Sequence, residues 1–113
     1  MKKIIIALTC LFCVFYGAQL FSDVNKGAKT IVLKGGYKGD IQFPHQDHQQ
    51  KLNDCNLCHD MFGQQKGSIT DLKSKGKLDN KTIMNQVCIK CHRSTKQSGK
   101  PSGPTTCSGC HQK

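Results

Sequence analysis

Apolar positions are spread very unevenly along this chain. After Met1-Lys2-Lys3, residues 4–16 read IIIALTCLFCVFY without a charge. Such a run matches the apolar region of a secretory signal and falls short of the roughly 20 residues needed to span a bilayer. We read residues 1–22 as a secretory signal peptide and residues 23–113 as one mature domain. Ala18 and Ser22 offer small residues for cleavage. An uncleaved membrane anchor is the competing reading of the same run.

Beyond Ser22 the apolar residues come singly or in short runs. Thr30 to Leu33 and Asp40 to Phe43 have β-type composition, and Gly35-Gly36-Tyr37-Lys38-Gly39 between them is a turn, which predicts an antiparallel hairpin. Pro44 at the head of His45 to Leu52 predicts a short helix. Gly63 to Lys77 is rich in Gly, Lys and Ser and reads as loop. Asp79 or Asn80 can cap a helix that includes Thr82 to Cys91. Ser94 to Thr106 contains three Ser, two Gly and two Pro, so it also reads as loop. The pattern predicts a small α+β fold: an N-terminal β-hairpin followed by a few short helices.

Composition shows that this fold lacks a conventional core. The chain has 113 residues, 36% of them hydrophobic, with no Trp. A domain this short buries little apolar surface. It needs a disulfide, a metal or a cofactor to hold it together. Phe43, Leu52, Leu57, Met61, Phe62, Leu78, Ile83, Val87 and Ile89 are therefore expected to pack on such a group.

The cysteines identify the group. Of eight Cys, Cys10 and Cys13 lie in the signal. The other six form one repeated pattern: Cys55-Asn56-Leu57-Cys58-His59, Cys88-Ile89-Lys90-Cys91-His92 and Cys107-Ser108-Gly109-Cys110-His111. C-x-x-C-H is the attachment signature of c-type haem. Two thiols add across the vinyl groups of one porphyrin, and a two-residue spacer lets one turn of chain reach both. The next residue then falls under the iron, where its imidazole is the proximal ligand. Three disulfides would leave the His after every second Cys unexplained. Zinc ribbons pair two CxxC units around one ion, and three units leave one over. A thioredoxin-like pair needs a βαβ scaffold that this chain cannot supply. The pattern predicts three covalently attached haem c groups, and export agrees with attachment outside the cytoplasmic membrane.

Three irons have six axial positions, of which His59, His92 and His111 fill three. Two other His remain, His45 and His48, in Phe43-Pro44-His45-Gln46-Asp47-His48. On a helical turn after Pro44 they share a face and can reach two different haems. With five His in the chain, the sixth ligand must be another group. Met84, four residues before Cys88, is free to cover a different haem and is preferred. Met61 is tied close to the first haem's proximal side. Lys81 and an open iron complete the options.

From about Thr30 to Lys113 the chain resembles the triheme cytochromes c7, shortened relatives of tetraheme cytochrome c3. The matching text is Ile31-Val32-Leu33-Lys34, Gly39-Asp40-Ile41-Gln42-Phe43-Pro44-His45-x-x-His48, the three CxxCH units, and the ending Gly103-Pro104-Thr105-Thr106-Cys107-Ser108-Gly109-Cys110-His111. The resemblance implies periplasmic electron transfer, often in respiration of metals or extracellular acceptors. It also implies the ligand pairs: His45 with His59 on the first haem and His48 with His92 on the second. The family's remaining distal His falls where this chain has Met84, so Met84 would pair with His111 on the third. The stretches from Phe62 to Ile83 and from His92 to Cys107 are longer than the family norm. A thioether favours ferrous iron more than a second imidazole does, so the third haem would be reduced first.

Charge adds a statement about partners. The mature part has fifteen Lys plus Arg against seven Asp and no Glu, a net of +8. Propionates offset part of this, leaving roughly +5 with the haems oxidised and +2 with them reduced. The remainder can steer docking to acidic redox partners, with Lys81, Lys90, Lys96, Lys100 and Lys113 as candidates. Export and dispersed Lys exclude a nucleic-acid partner. The leading expectation is a monomeric periplasmic electron carrier, not an enzyme. It would link inner-membrane donors to outer-membrane or terminal acceptors, without stable membrane insertion after signal cleavage. The alternatives are a small multihaem reductase or peroxidase with one open haem, and a haem-based sensor or docking subunit of a larger conduit.

Overall fold

Two glycines with positive φ turn the chain back at the start of the fold. Gly36 (φ 63°) and Gly39 (φ 92°) adopt backbone angles that side chains resist. Between them lies one 3₁₀ turn, Gly36–Lys38. This turn joins strand β1, Ile31–Leu33, to strand β2, Asp40–Phe43. The strands are antiparallel, with Ile31 opposite Phe43, Val32 opposite Gln42 and Leu33 opposite Ile41. Lys34 Nζ donates to Asp40 Oδ2 at 2.7 Å across the base of the turn. That bond holds the Asp40 carboxyl below its ordinary range. The computed structural model describes residues 25–112. The signal reading of residues 1–22 and the docking candidate Lys113 lie outside the described residues.

After Pro44 the chain enters α1, His45–Leu52, which ends on Asn53 in the left-handed conformation (φ 54°). A single turn, α2, Asn56–His59, carries the first CxxCH motif. The stretch read as loop from Gly63 to Lys77 contains a helix, α3, Ser68–Ser74. Composition hid it because three of its seven residues are Ser or Thr. Local bonds support it: Ser68 Oγ donates to Gly63 O at 2.7 Å, and Lys75 Nζ donates to Asp71 Oδ2 at 2.7 Å.

Asp79 caps the next helix, one of the two caps expected. Its Oδ1 accepts from the N–H of Lys81 at 2.6 Å and of Thr82 at 2.7 Å. These backbone donors, that of Thr82 foremost, hold the carboxyl below its ordinary range. From there α4, Asn80–Ile83, passes through a π turn, Met84–Cys88, into α5, Ile89–Gln97. The helix thus runs six residues past Cys91, into the stretch read as loop. A last turn, α6, Cys107–Cys110, leads into β3, His111–Gln112. The short strand β3 was not expected. It pairs antiparallel with β2, His111 opposite Ile41, and completes a sheet of order β1-β2-β3.

Among the described residues Leu78 alone is a buried hydrophobic side chain, at 8% exposure. Of the other apolar residues expected to pack, all are half-buried except Leu57, which departs from the expectation at 56% exposed because it sits on the outer side of the single turn α2. The elements form a frame of short helices around a small sheet, with little side-chain core of their own. Among the described residues no helix is long and apolar enough to cross a membrane.

Candidate haem-ligand sites

All five imidazoles share one arrangement. Nδ1 of His45 lies 3.1 Å from Ala28 O, and that of His48 lies 2.9 Å from Pro44 O. Nδ1 of His59 lies 3.2 Å from Phe62 O, and that of His92 lies 2.7 Å from Pro104 O. Nδ1 of His111 lies 2.9 Å from Gly39 O. A carbonyl oxygen only accepts, so in each ring Nδ1 carries the proton and donates it. The neutral ring then keeps its lone pair on Nε2, the nitrogen open to a metal. An outer-shell bond of this kind is the usual companion of a metal-ligating His, since it fixes both tautomer and ring orientation.

Four of the rings face each other in two pairs. His45 and His59 have centroids 6.2 Å apart with ring planes at 85°. His48 and His92 have centroids 6.1 Å apart with planes at 25°. Two imidazoles on opposite sides of one metal, each bound at about 2.0 Å and with about 1.1 Å from nitrogen to ring centre, place the centroids about 6 Å apart. Both pairs have the spacing of trans ligands.

Aromatic rings and chain segments prop these imidazoles. Phe43, the last residue of β2, lies 4.4 Å from the His48 ring and 6.0 Å from that of His45. Phe62 meets the His59 ring at 5.3 Å, edge on. Residues 26–29 are tied to α1: Gln49 Nε2 donates to Lys26 O at 2.7 Å and the Gln46 N–H to Lys29 O at 3.0 Å. This lashing is what brings the Ala28 carbonyl to His45.

His111 is the fifth imidazole. Extended backbone at the start of β3 holds it against the hairpin turn. A Cβ on Gly35 would stand 2.6 Å from His111 Nδ1 and would also collide with Gly39 O. The turn is therefore shaped to seat this ring. Met84, half-buried, opens the π turn, where the Ile89 N–H donates back to Met84 O. Such turns insert one extra residue into a helix and recur at functional sites.

The six motif cysteines form no disulfides with one another. Burial pushes the Cys88 thiol up to about 11, and its neighbours Cys58 and Cys110 add to the effect. Burial also raises Cys58, with Cys91 the next cause, and raises Cys110, helped by Cys107. Thiols of all three motifs thus share one neighbourhood around Cys88. The π turn that begins at Met84 ends at Cys88. Among the described residues no group of three or more His, Cys, Asp or Glu is gathered to hold a bare metal ion. Facing imidazole pairs with CxxC turns alongside instead fit a metal held in a planar macrocycle that is bonded to the chain.

The acceptor carbonyls of Ala28, Pro44, Phe62, Pro104 and Gly39 were not legible in the sequence, because a carbonyl belongs to every residue. Gly35 and Gly103 were legible only as turn residues. The ring contacts that require them come from distant parts of the chain.

Comparison with known proteins agrees with this geometry. Residues 41–112 match the family described as cytochrome c7 and related cytochrome c. The chain is 31% identical to a cytochrome c7 of Geobacter metallireducens over the full length of both. It is 33% identical to a cytochrome c3 of Desulfuromonas acetoxidans over 74% of this chain and 97% of that one. The solution structure of the triheme cytochrome PpcA from Geobacter sulfurreducens is similar at 33% identity and a TM-score of 0.53, covering 76% of this chain and all of that one. That structure and its oxidised form (TM-score 0.52) share the fold of a small antiparallel sheet and several short helices seen here. A family match over most of the chain and a relative alike from end to end lead to one conclusion: this is a member of the cytochrome c7 family, an electron-transfer protein with three covalent haem c groups and not an enzyme.

Proposed function

We propose that the chain is a periplasmic three-site electron carrier with two His/His sites and one His/Met site. Cys55 and Cys58, Cys88 and Cys91, and Cys107 and Cys110 would hold the three haems as thioethers. His45 and His59 would ligate the first iron, His48 and His92 the second, and Met84 and His111 the third. Haem bound at each motif supplies a one-electron ferric/ferrous couple. The observation that carries the reading is the common state of the five imidazoles, each with Nδ1 tied to a carbonyl and Nε2 free, four of them facing in two pairs with centroids 6.2 Å and 6.1 Å apart.

Each residue set has a defined task. The Nδ1 donors fix ring orientation, so the ligands need little rearrangement when the iron changes charge. Met84 would supply a soft thioether, a donor that favours ferrous iron, so the third site would be the most easily reduced of the three. Its place four residues before Cys88, half-buried at the head of the π turn, leaves it free of the first motif and supports this role. Residues 1–22 would direct export and be removed. The mature chain would then act as a monomer between membrane-bound donors and outer or terminal acceptors, its excess of Lys guiding it to acidic partners.

Optical and EPR spectra of the oxidised protein test the ligand set. The wild type should be wholly low-spin with a far-red sulfur-to-iron band, and Met84→Ala should lose that band and gain one high-spin haem. Identical spectra for wild type and Met84→Ala would overturn the assignment of Met84.

A further inference from the structure

The long stretch between the second and third motifs does more than connect them. It returns to His92, where Pro104 O accepts from Nδ1 at 2.7 Å, the shortest of the five such bonds. At the first site the corresponding bonds are 3.1 Å and 3.2 Å. Gly103 lies flat against the same ring: a Cβ there would stand 2.8 Å from His92 Nε2 and 2.9 Å from Nδ1, and closer still to Cε1. The turn is pinned from its other side as well. A Cβ on Gly109, inside the third motif, would come 2.5 Å from Pro104 Cβ. Proline also restricts the residue before it to extended backbone, which fixes the approach of Gly103.

We propose that the Gly103–Pro104 turn is a positioning device that keeps the His48/His92 site the hardest of the three to reduce. The inference rests on the ligand pairing proposed above. A shorter bond from Nδ1 to an acceptor gives the ring more imidazolate character, raises its basicity and stabilises ferric iron. Only glycine lets the carbonyl come this close, because any side chain would push the turn off the ring. The contact with Gly109 holds Pro104 in place through the segment that binds the third haem. The order of reduction is then the third site first, the first site next and the second site last.

Ring orientation gives each His/His site a spectroscopic label. Parallel imidazole planes donate into the same iron d orbital, and perpendicular planes donate into two different ones. The first site, at 85°, should therefore give a highly anisotropic low-spin EPR signal, and the second, at 25°, an ordinary rhombic one.

The experiment is an EPR-monitored redox titration of the holoprotein and its variants. In the wild type the rhombic signal should be the last to disappear on reduction. Gly103→Ala should shift the second site's ferric/ferrous equilibrium toward ferrous by about tenfold, or about 59 mV for one electron. The first site should stay in place. Gln97→Ala, at the exposed end of α5 and away from the turn, should move none of the midpoints. Where Gly103→Ala does not yield loaded protein, Pro104→Ala, which frees the turn but keeps its carbonyl, is read by the same criterion with a smaller shift in the same direction. A low-spin second site whose midpoint does not move in the variant, or that titrates above the first site in the wild type, overturns this proposal alone. A high-spin second site in the wild type overturns the pairing and this proposal with it.

Discussion

In the ligand set proposed above, Met84 would decide how unequal the three sites are. With His at this position all three irons would have imidazole on both sides, and the potentials would differ only through smaller environmental effects. A thioether adds a difference in ligand chemistry, which is among the strongest levers on a haem potential. Met84→His is expected to keep the oxidised protein low-spin, abolish the sulfur-to-iron band and lower the third site toward the other two. A spectroelectrochemical titration checks this, and three unchanged midpoints would contradict it. At this scale the sequence was most informative. Five His for six positions left one ligand to find, and three CxxCH motifs pointed to the family and to three haem c groups without any structure. Phe43 and Phe62 were legible as apolar residues near the motifs, but not as rings set against particular imidazoles. That detail depends on side-chain direction at the ends of elements, which composition does not encode.

Among the elements, the helix from Asn80 to Gln97 carries the greatest burden, since it holds Met84, Cys88, Cys91 and His92. Its start depends on the Asp79 cap. The folded carboxyl sits below the ordinary value of 3.8 because Thr82 and Lys81 donate backbone N–H groups to it. The cap's contribution is therefore complete above the unfolded value and is lost as pH falls through the lower folded value. Acidification from about pH 5 to about pH 3 should lower the Tm of the wild type more than that of Asp79→Asn, which keeps a cap oxygen but has no charge to titrate. Thermal melts of the holoproteins across this range measure it, and parallel curves would refute it. Turn and cap residues made the hairpin, α1 and this helix predictable. Strand β3 and helix α3 escaped for different reasons. β3 is two residues long and exists because the third motif delivers His111 to the open edge of β2. α3 is made of Ser, Thr, Asp and Lys as much as of apolar residues, so it shows no clear periodic face.

For the whole molecule, a single buried hydrophobic residue among those described means that the fold relies on what is bonded to it. Loss of one attachment site should therefore damage the structure as well as the redox chemistry. Replacing Cys88 and Cys91 together by Ser is expected to remove the second haem, reduce helix content in circular dichroism and speed limited proteolysis by about tenfold or more. Unchanged helix content and protease resistance would show that the frame stands without it. The common design of the imidazoles has a further consequence, which concerns heredity. The acceptor that sets each ring is a peptide carbonyl, supplied identically by Ala28, Pro44, Phe62, Pro104 and Gly39. No point substitution can delete such a group; mutation reaches it only by bending the main chain. Side chains around the sites can therefore drift while the electronic setting of every imidazole is inherited intact. The few positions where drift is forbidden are those, such as Gly35 and Gly103, at which a single added carbon would move the backbone itself.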